Sequence, residues 1–305
     1  MSRSKPPLDG VLLVDKPAGI TSAGVVREVK RRLGVIKVGH LGTLDPFATG
    51  LLPVAIGEGT KVVAFLSQGD KSYTGVIALG RSTDTLDSTG QVVQTAAVPP
   101  LADDVLEAVA RQFRGAIEQV PPMFSALKRG GVPLYELARK GVDVERAPRR
   151  VHIESLSLAL VSAAEISLSM RCSKGTYVRS LARDVAAALG TVGHLASLRR
   201  TAFGSFEVAS AIPLDGIDAA AELPILPSRN ALGGLRELEV DAGLAARIRC
   251  GQQAAVASLP AAPKRMEVAK VLDDRGDLVA LVGESGGRWR IERVFVDATV
   301  LESHN

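Results

Sequence analysis

Apolar and polar positions follow two rhythms along this chain, one of period two and one of period near 3.6. Val11 to Val14 is apolar without interruption and stops at Pro17-Ala18-Gly19, which predicts a buried strand entering a turn. Ser22 is the predicted cap of a helix with Val25, Val26, Val29 and Leu33 on one face and Gly34 just beyond its end. Leu51 to Ile56 predicts a strand broken at Pro53, and Tyr73 to Leu79 a strand buried on both faces. Asp103 to Arg114 has Leu106, Val109, Ala110 and Phe113 at helical spacing, with Gly115 as its stop. Val151 to Val161 and Ile166 to Cys172 alternate and predict antiparallel neighbours. Arg179 to Leu189 predicts a helix through Leu181, Val185 and Leu189, stopped by Gly190.

Ala211 to Gly234 is rich in Ala, Leu, Pro and Gly and predicts an irregular connector. Strand-like runs follow at Leu235 to Val240, Val268 to Leu272, Leu278 to Val282 and Arg290 to Phe295, with a short helix at Leu244 to Ile248. They predict a small β-rich C-terminal domain with barrel-like pairing. No solenoid-period repeat is visible.

Composition narrows the class. A chain of 305 residues fits one large domain or two moderate ones. With 46% hydrophobic and 23% charged residues it is neither disordered nor fibrous. Aromatics are scarce, with only three Tyr, so each Tyr position carries information. Cys172 and Cys250 lie far apart and form neither a zinc pattern nor a disulfide framework. The first residues are polar, and no apolar run approaches the roughly 20 residues of a membrane span. A reducing cytoplasm is the expected compartment, with no membrane association.

The net charge of +4 hides a division. Residues 236–305 hold 10 Lys/Arg against 11 Asp/Glu, leaving +5 on the first 235. Ser125 to Arg150 alone has seven basic residues and three acidic ones. Such a stretch is a solvated surface or a phosphate-contacting arm.

The densest motif is Gly39-His40-Leu41-Gly42-Thr43-Leu44-Asp45-Pro46-Phe47-Ala48-Thr49-Gly50. Three Gly and a Pro make it a tight loop, and Pro46 pushes Asp45 towards an extended conformation. Asp45 is then either a turn residue or a nucleophile, and the second role needs a partner that keeps it ionised. Lys174-Gly175-Thr176-Tyr177-Val178-Arg179-Ser180 opens a helix after a strand; Arg179 there is a surface residue or the partner of an anion. Tyr73 in Lys71-Ser72-Tyr73 reads, taken alone, as core packing. His40 and His194 are ambiguous between structural and functional roles. Phosphate-loop, dinucleotide-loop, zinc-helix and nucleophile-elbow patterns are absent.

These blocks, with Asp15 to Ser22, PPMFSALKRGGVPLYELARKG (121–141), KGTYVRSLARD (174–184) and HLASLRR (194–200), resemble the TruB family of bacterial tRNA pseudouridine-55 synthases almost end to end. The resemblance implies an α+β fold. A mixed, mainly antiparallel catalytic sheet with flanking helices would span 1–235, with an RNA-gripping insertion at about 120–150. A PUA-like RNA-binding domain would span 236–305. It implies that Asp45 is the catalytic aspartate, that Tyr73 stacks on the target base and that Arg179 pairs with Asp45. Tyr177 and Leu198 fall on active-site positions, His40 on an RNA-contacting histidine and Lys16 on a basic residue beside the cleft. Lys128, Arg129, Arg149 and Arg150 belong to the arm that would grip the T-arm of tRNA.

The implied reaction isomerises uridine to pseudouridine in the T-loop, with the base flipped into the pocket. It loses no atom and changes no oxidation state, so no cofactor and no metal are expected, and no obligate protein partner. Arg179 would lower the Asp45 pKa by about 1–3 units. Three alternatives remain open: a non-catalytic RNA-binding protein on the same scaffold, a glycosidase, which usually needs two carboxylates, and a synthase guided by a separate RNA.

Overall fold

The computed structural model describes residues 8–262 and 264–296. Val11 to Val14 belong to β1 (Gly10–Lys16) and alternate between two separate cores. Leu12 and Val14 join the main core with Val25 and Val29 of α1 (Ser22–Leu33). Val11 and Leu13 face a second core that includes Leu281 and Phe295 of the C-terminal part. A strand covered on both faces has no solvent side, which is why its sequence does not alternate. After the short β2 (Val38–His40), β3 (Thr49–Ile56) pairs antiparallel with β1 and divides likewise. Its Leu52, Val54 and Ile56 go to the main core, its Leu51 and Ala55 to the second.

Next come α2 (Val63–Leu66), β4 (Lys71–Leu79), a hairpin of β5 (Arg81–Thr83) and β6 (Val92–Thr95), α3 (Asp103–Gln112) and β7 (Gly115–Gln119). A small hairpin of β8 (Lys128–Arg129) and β9 (Val132–Pro133) leads through α4 (Leu134–Arg139) to β10 (Arg149–Ser162) and β11 (Glu165–Cys172). Then follow α5 (Val178–Ala188), β12 (Gly193–Phe203), β13 (Phe206–Glu207) and β14 (Ile212–Pro213). The ten-stranded sheet runs β14-β1-β3-β12-β4-β11-β10-β7, with β2 added to β3 and β13 to β12. Among the described residues of this sheet only β1–β14 and β3–β12 pair in parallel, and α1, α3 and α5 bury their apolar faces against one side. The expected β10–β11 hairpin is present and antiparallel.

Three local expectations need correction. The cap of α1 is Thr21, whose side chain accepts from the Gly24 N–H, while Ser22 is buried and serves a loop described below. Pro53 does not break β3. Its carbonyl accepts from Leu41 N at 3.0 Å, so its nitrogen also faces away from β1 and the β1 ladder loses no donor. β4 is fully covered on one face only: Tyr73, Ile77 and Leu79 are buried, while Thr74 on the other face is exposed.

The connector at 211–234 is irregular only in part: β14 forms the edge of the large sheet, and Leu226 exchanges two backbone hydrogen bonds with Val11. Beyond α6 (Ser228–Ala231), the strands β15 (Arg236–Glu239), β16 (Val268–Leu272), β17 (Leu278–Ser285) and β18 (Arg288–Val294) form a sheet in that order, with α7 (Ala242–Arg249) inserted after β15. Its own core contains Leu238, Ile248, Val256, Val271, Val282 and Trp289. Among the described residues this sheet does not close into a barrel, because β15 and β18 remain as unjoined edges. Alternation along a strand reports which face is buried, not which strand it pairs with.

Candidate active site

Leu41 to Ala48, between β2 and β3, form a loop pressed against the sheet. Its buried backbone groups need partners away from water. Ser22 Oγ accepts from Leu44 N at 2.9 Å and donates to Leu44 O at 3.1 Å. Lys16 and Arg200, both 0% exposed, supply the rest. Lys16 Nζ donates to the carbonyls of Pro17, Ile20 and Pro46 at 3.0, 2.8 and 3.2 Å, using all three ammonium donors. Arg200 donates to Gly42 O, Thr43 O and Leu51 O at 3.0, 3.4 and 2.8 Å. Two buried cations and one serine thus hold the loop that carries Asp45.

Arg179, buried in the first turn of α5, reaches Asp45 from the other side. Its Nε donates to Oδ2 at 2.8 Å and its Nη2 to Oδ1 at 2.9 Å, a bidentate pair. The remaining N–H groups meet Thr85 O at 2.9 Å and Phe124 O at 2.8 Å, and Nη1 lies 3.6 Å from Asp87 Oδ2. The Asp45 side chain remains 33% exposed, so the pocket gives access to it. Burial pushes its carboxyl above the ordinary value against the pull of Arg179. Arg179 lowers it, as expected, but desolvation is the larger cause and the net shift is upward.

The pocket wall comes from the centre of the sheet. Tyr73 on β4 stands opposite Arg200 on β12, and both line the pocket. Leu198, two residues before Arg200 on the same face, also lines the pocket. Leu198 lies opposite Gly75, where a side chain would begin 2.5 Å from Ser197 O. Tyr177 completes the rim: its N–H donates to Gln119 Oε1 at 2.8 Å, and Ser125 lines the same pocket. Burial raises the pKa of both tyrosines.

The predicted residues Asp45, Arg179, Tyr73, Tyr177 and Leu198 therefore converge on one pocket. Lys16 does not line it but lies under the loop, where burial pulls its pKa down to about 8. His40 stands on β2, half-buried and outside the pocket lining, its pKa lowered by burial and by Arg200. Lys128, Arg129, Arg149 and Arg150 are exposed on the β8–β10 segment.

Sequence reasoning missed Arg200, Asp87 and Lys71. For Arg200 a signal existed: it shares the period-two face of Leu198. Asp87 sits in Thr85-Leu86-Asp87-Ser88-Thr89-Gly90, which reads as an ordinary turn. Only the fold shows Leu86 at φ 62 between Thr85 and Asp87, both of which meet Arg179. Lys71 lines the pocket with its Nζ 4.3 Å from the Phe203 ring centre, and burial pulls its pKa down to about 8. Among the described residues no group of three His, Cys, Asp or Glu side chains is arranged to hold a metal ion, and no helix is long and apolar enough to cross a membrane.

Residues 30–178 match the family description TruB family pseudouridylate synthase (N terminal domain), and residues 179–224 match tRNA pseudouridylate synthase B C-terminal domain. The tRNA pseudouridine synthase B of Chromohalobacter salexigens is 48% identical over 255 residues, 82% of this chain and 83% of that protein. Its counterpart from Geobacter sulfurreducens is 41% identical over 309 residues, 94% of this chain and 100% of that protein. A solved Cbf5-Nop10-Gar1 complex superposes with a TM-score of 0.71 at 27% identity, covering 95% of this chain and 86% of that one. With both family descriptions matched across the Asp45 loop and α5, and relatives this similar over most of its length, the chain belongs to the TruB family of pseudouridylate synthases.

Proposed function

We propose that this pseudouridine synthase acts on tRNA, converting the uridine at position 55 of the T-loop. The observation that carries the reading is the Asp45 carboxylate, held bidentately by Arg179 inside a pocket walled by Tyr73 and Leu198. The reaction cuts the N1–C1′ bond, turns the uracil and joins C5 to C1′. One carboxylate suffices for it, by covalent attack and departure or by driving elimination. Arg179 fixes which oxygens of Asp45 are paired and so orients the carboxylate.

A uridine within a folded loop reaches this pocket only by leaving the stack, at a cost of about a few kcal/mol. Tyr73 offers the ring on which the base stacks; Leu198 and Tyr177 flank it. His40, on β2 beside the catalytic loop, would enter the gap left in the RNA. Lys16 acts from beneath the loop, as a support for Asp45.

Affinity would come from phosphates. Lys128, Arg129, Arg149 and Arg150 are exposed, and the root of their segment touches the pocket through Ser125 and Phe124 O. An RNA gripped there would be coupled to the site. The C-terminal sheet, PUA-like in this reading, would meet the acceptor end, and the enzyme would work in the cytoplasm without a protein partner. The solved Cbf5 neighbours are complexes with other proteins, so the test uses this chain alone.

Unmodified tRNA incubated with the purified chain and mapped by mass spectrometry should gain pseudouridine at position 55 only. Asp45→Asn, folded as judged by circular dichroism, should abolish it. A modified uridine elsewhere, a requirement for a guide RNA or a partner, or surviving turnover in Asp45→Asn would overturn the reading.

A further inference from the structure

The pocket holds more positive than negative charge. Asp45 and Asp87 both meet Arg179, two carboxylates on one guanidinium. On the opposite wall, Lys71 and Arg200 flank Tyr73: Lys71 is two residues before it on β4, and Arg200 is its cross-strand neighbour on β12. Neither forms an ion pair with a carboxylate among the described residues, and Asp70, which acts on Lys71 through its charge, is ion-paired with Arg171 at 3.8 Å. Arg200 is paired with three backbone carbonyls, and Lys71 Nζ with Gly69 O at 2.6 Å and the Phe203 ring. Burying a cation without an anion opposes folding. Such an arrangement fits a site where negative charge arrives during the reaction.

We propose that Lys71 and Arg200 form a cationic floor that stabilises the uracil as it leaves the sugar. The inference rests on the reading above, that a uridine is isomerised here. When the N1–C1′ bond breaks, its electron pair departs with the base, which is an anion until C5 attacks C1′. If an Asp45 oxygen bonds C1′ as N1 leaves, that bond breaks again when C5 arrives. The C5 proton is then lost and N1 is protonated, restoring a neutral base. The bound uridine is neutral before and after, so the floor favours the transition state over the ground state. Burial beneath the sheet strengthens the effect by lowering the local dielectric. Lys71 lines the pocket itself, whereas Arg200 also holds the Asp45 loop and so doubles as a positioning residue.

Leaving-group basicity supplies the test. Single-turnover cleavage of the glycosidic bond is measured on tRNA carrying uridine or 5-fluorouridine at the target, read as loss of the parent nucleoside in nuclease digests. Fluorine stabilises the departing anion, so that substrate depends less on the floor. Lys71→Met should slow cleavage of uridine by about tenfold and cleavage of 5-fluorouridine by less, with tRNA affinity retained, and Lys71→Arg should restore the rate. Arg200→Gln, included only if its melting temperature shows a folded protein, should give the same asymmetry. An equal loss on both substrates, or no loss, overturns the cationic floor while leaving the proposed reaction standing. A wild-type protein that makes no pseudouridine overturns both.

Discussion

Arg179 and Asp45 are joined by two parallel hydrogen bonds of 2.8 and 2.9 Å, across 134 positions of sequence. The guanidinium is in turn fixed by Thr85 O and Phe124 O, so it cannot swing away without breaking four contacts. Arg179→Lys keeps the charge but not the fork. It should lower kcat by about 100-fold while leaving tRNA binding nearly unchanged. Single-turnover rates and a filter-binding titration separate the two effects.

The pH profile should be bell-shaped, with a sign fixed by burial on each side. Asp45 has its pKa raised, so the reactive carboxylate is lost as pH falls through that raised value. The acid limb of kcat/KM should therefore lie above the ordinary carboxylate range. Lys71 is pulled down to about 8 by burial, helped by Arg200 and Lys174 and opposed by Cys172 and Asp70. Its positive charge is lost as pH rises, so activity should fall above about pH 8. Lys71→Arg should move that alkaline limb upwards; Lys16, also near 8, limits how far.

Gly75 has no room for a methyl group, because Ser197 O would lie 2.5 Å from it. Gly75→Ala must push β12 away from β4, and β12 carries Leu198 and Arg200. A loss of about 1–3 kcal/mol in stability is expected, from denaturant titration, together with a fall in kcat.

Changing Lys128, Arg129, Arg149 and Arg150 to Ala together should weaken tRNA binding. The slope of log K against log salt should flatten by about 3, since each phosphate contact contributes about 0.7–0.9. Cleavage by enzyme saturated with tRNA should change far less.

The pocket was legible where motif residues touch each other: Asp45, Arg179 and Tyr73 lie in separate blocks, yet the fold brings all three together. Arg200 was hidden because an arginine is read as surface by default, although its period-two relation to Leu198 placed both on the inward face. The balance at Asp45 was also hidden, since desolvation depends on what the chain wraps around the carboxyl and not on its neighbours in sequence. Among the elements, the unbroken apolar run of β1 was read correctly as buried. Pro53 was misread because a proline's effect depends on which side of the strand its nitrogen faces, which sequence does not state. The open C-terminal sheet was missed for a related reason: strand pairing is a long-range choice.

β1 and β3 lend one face to each of two cores, and the second core takes Leu281 and Phe295 from beyond residue 235. The catalytic sheet is thus finished from behind by the C-terminal part, much as a party wall is shared by two houses. A chain cut at 235 would lose Leu281 and Phe295 from that core and uncover part of the apolar surface behind β1 and β3, the latter following directly on the Asp45 loop. Such a fragment would be prone to stick to itself. Whatever the C-terminal sheet does for RNA, it also completes the core on which β1 and β3 rest.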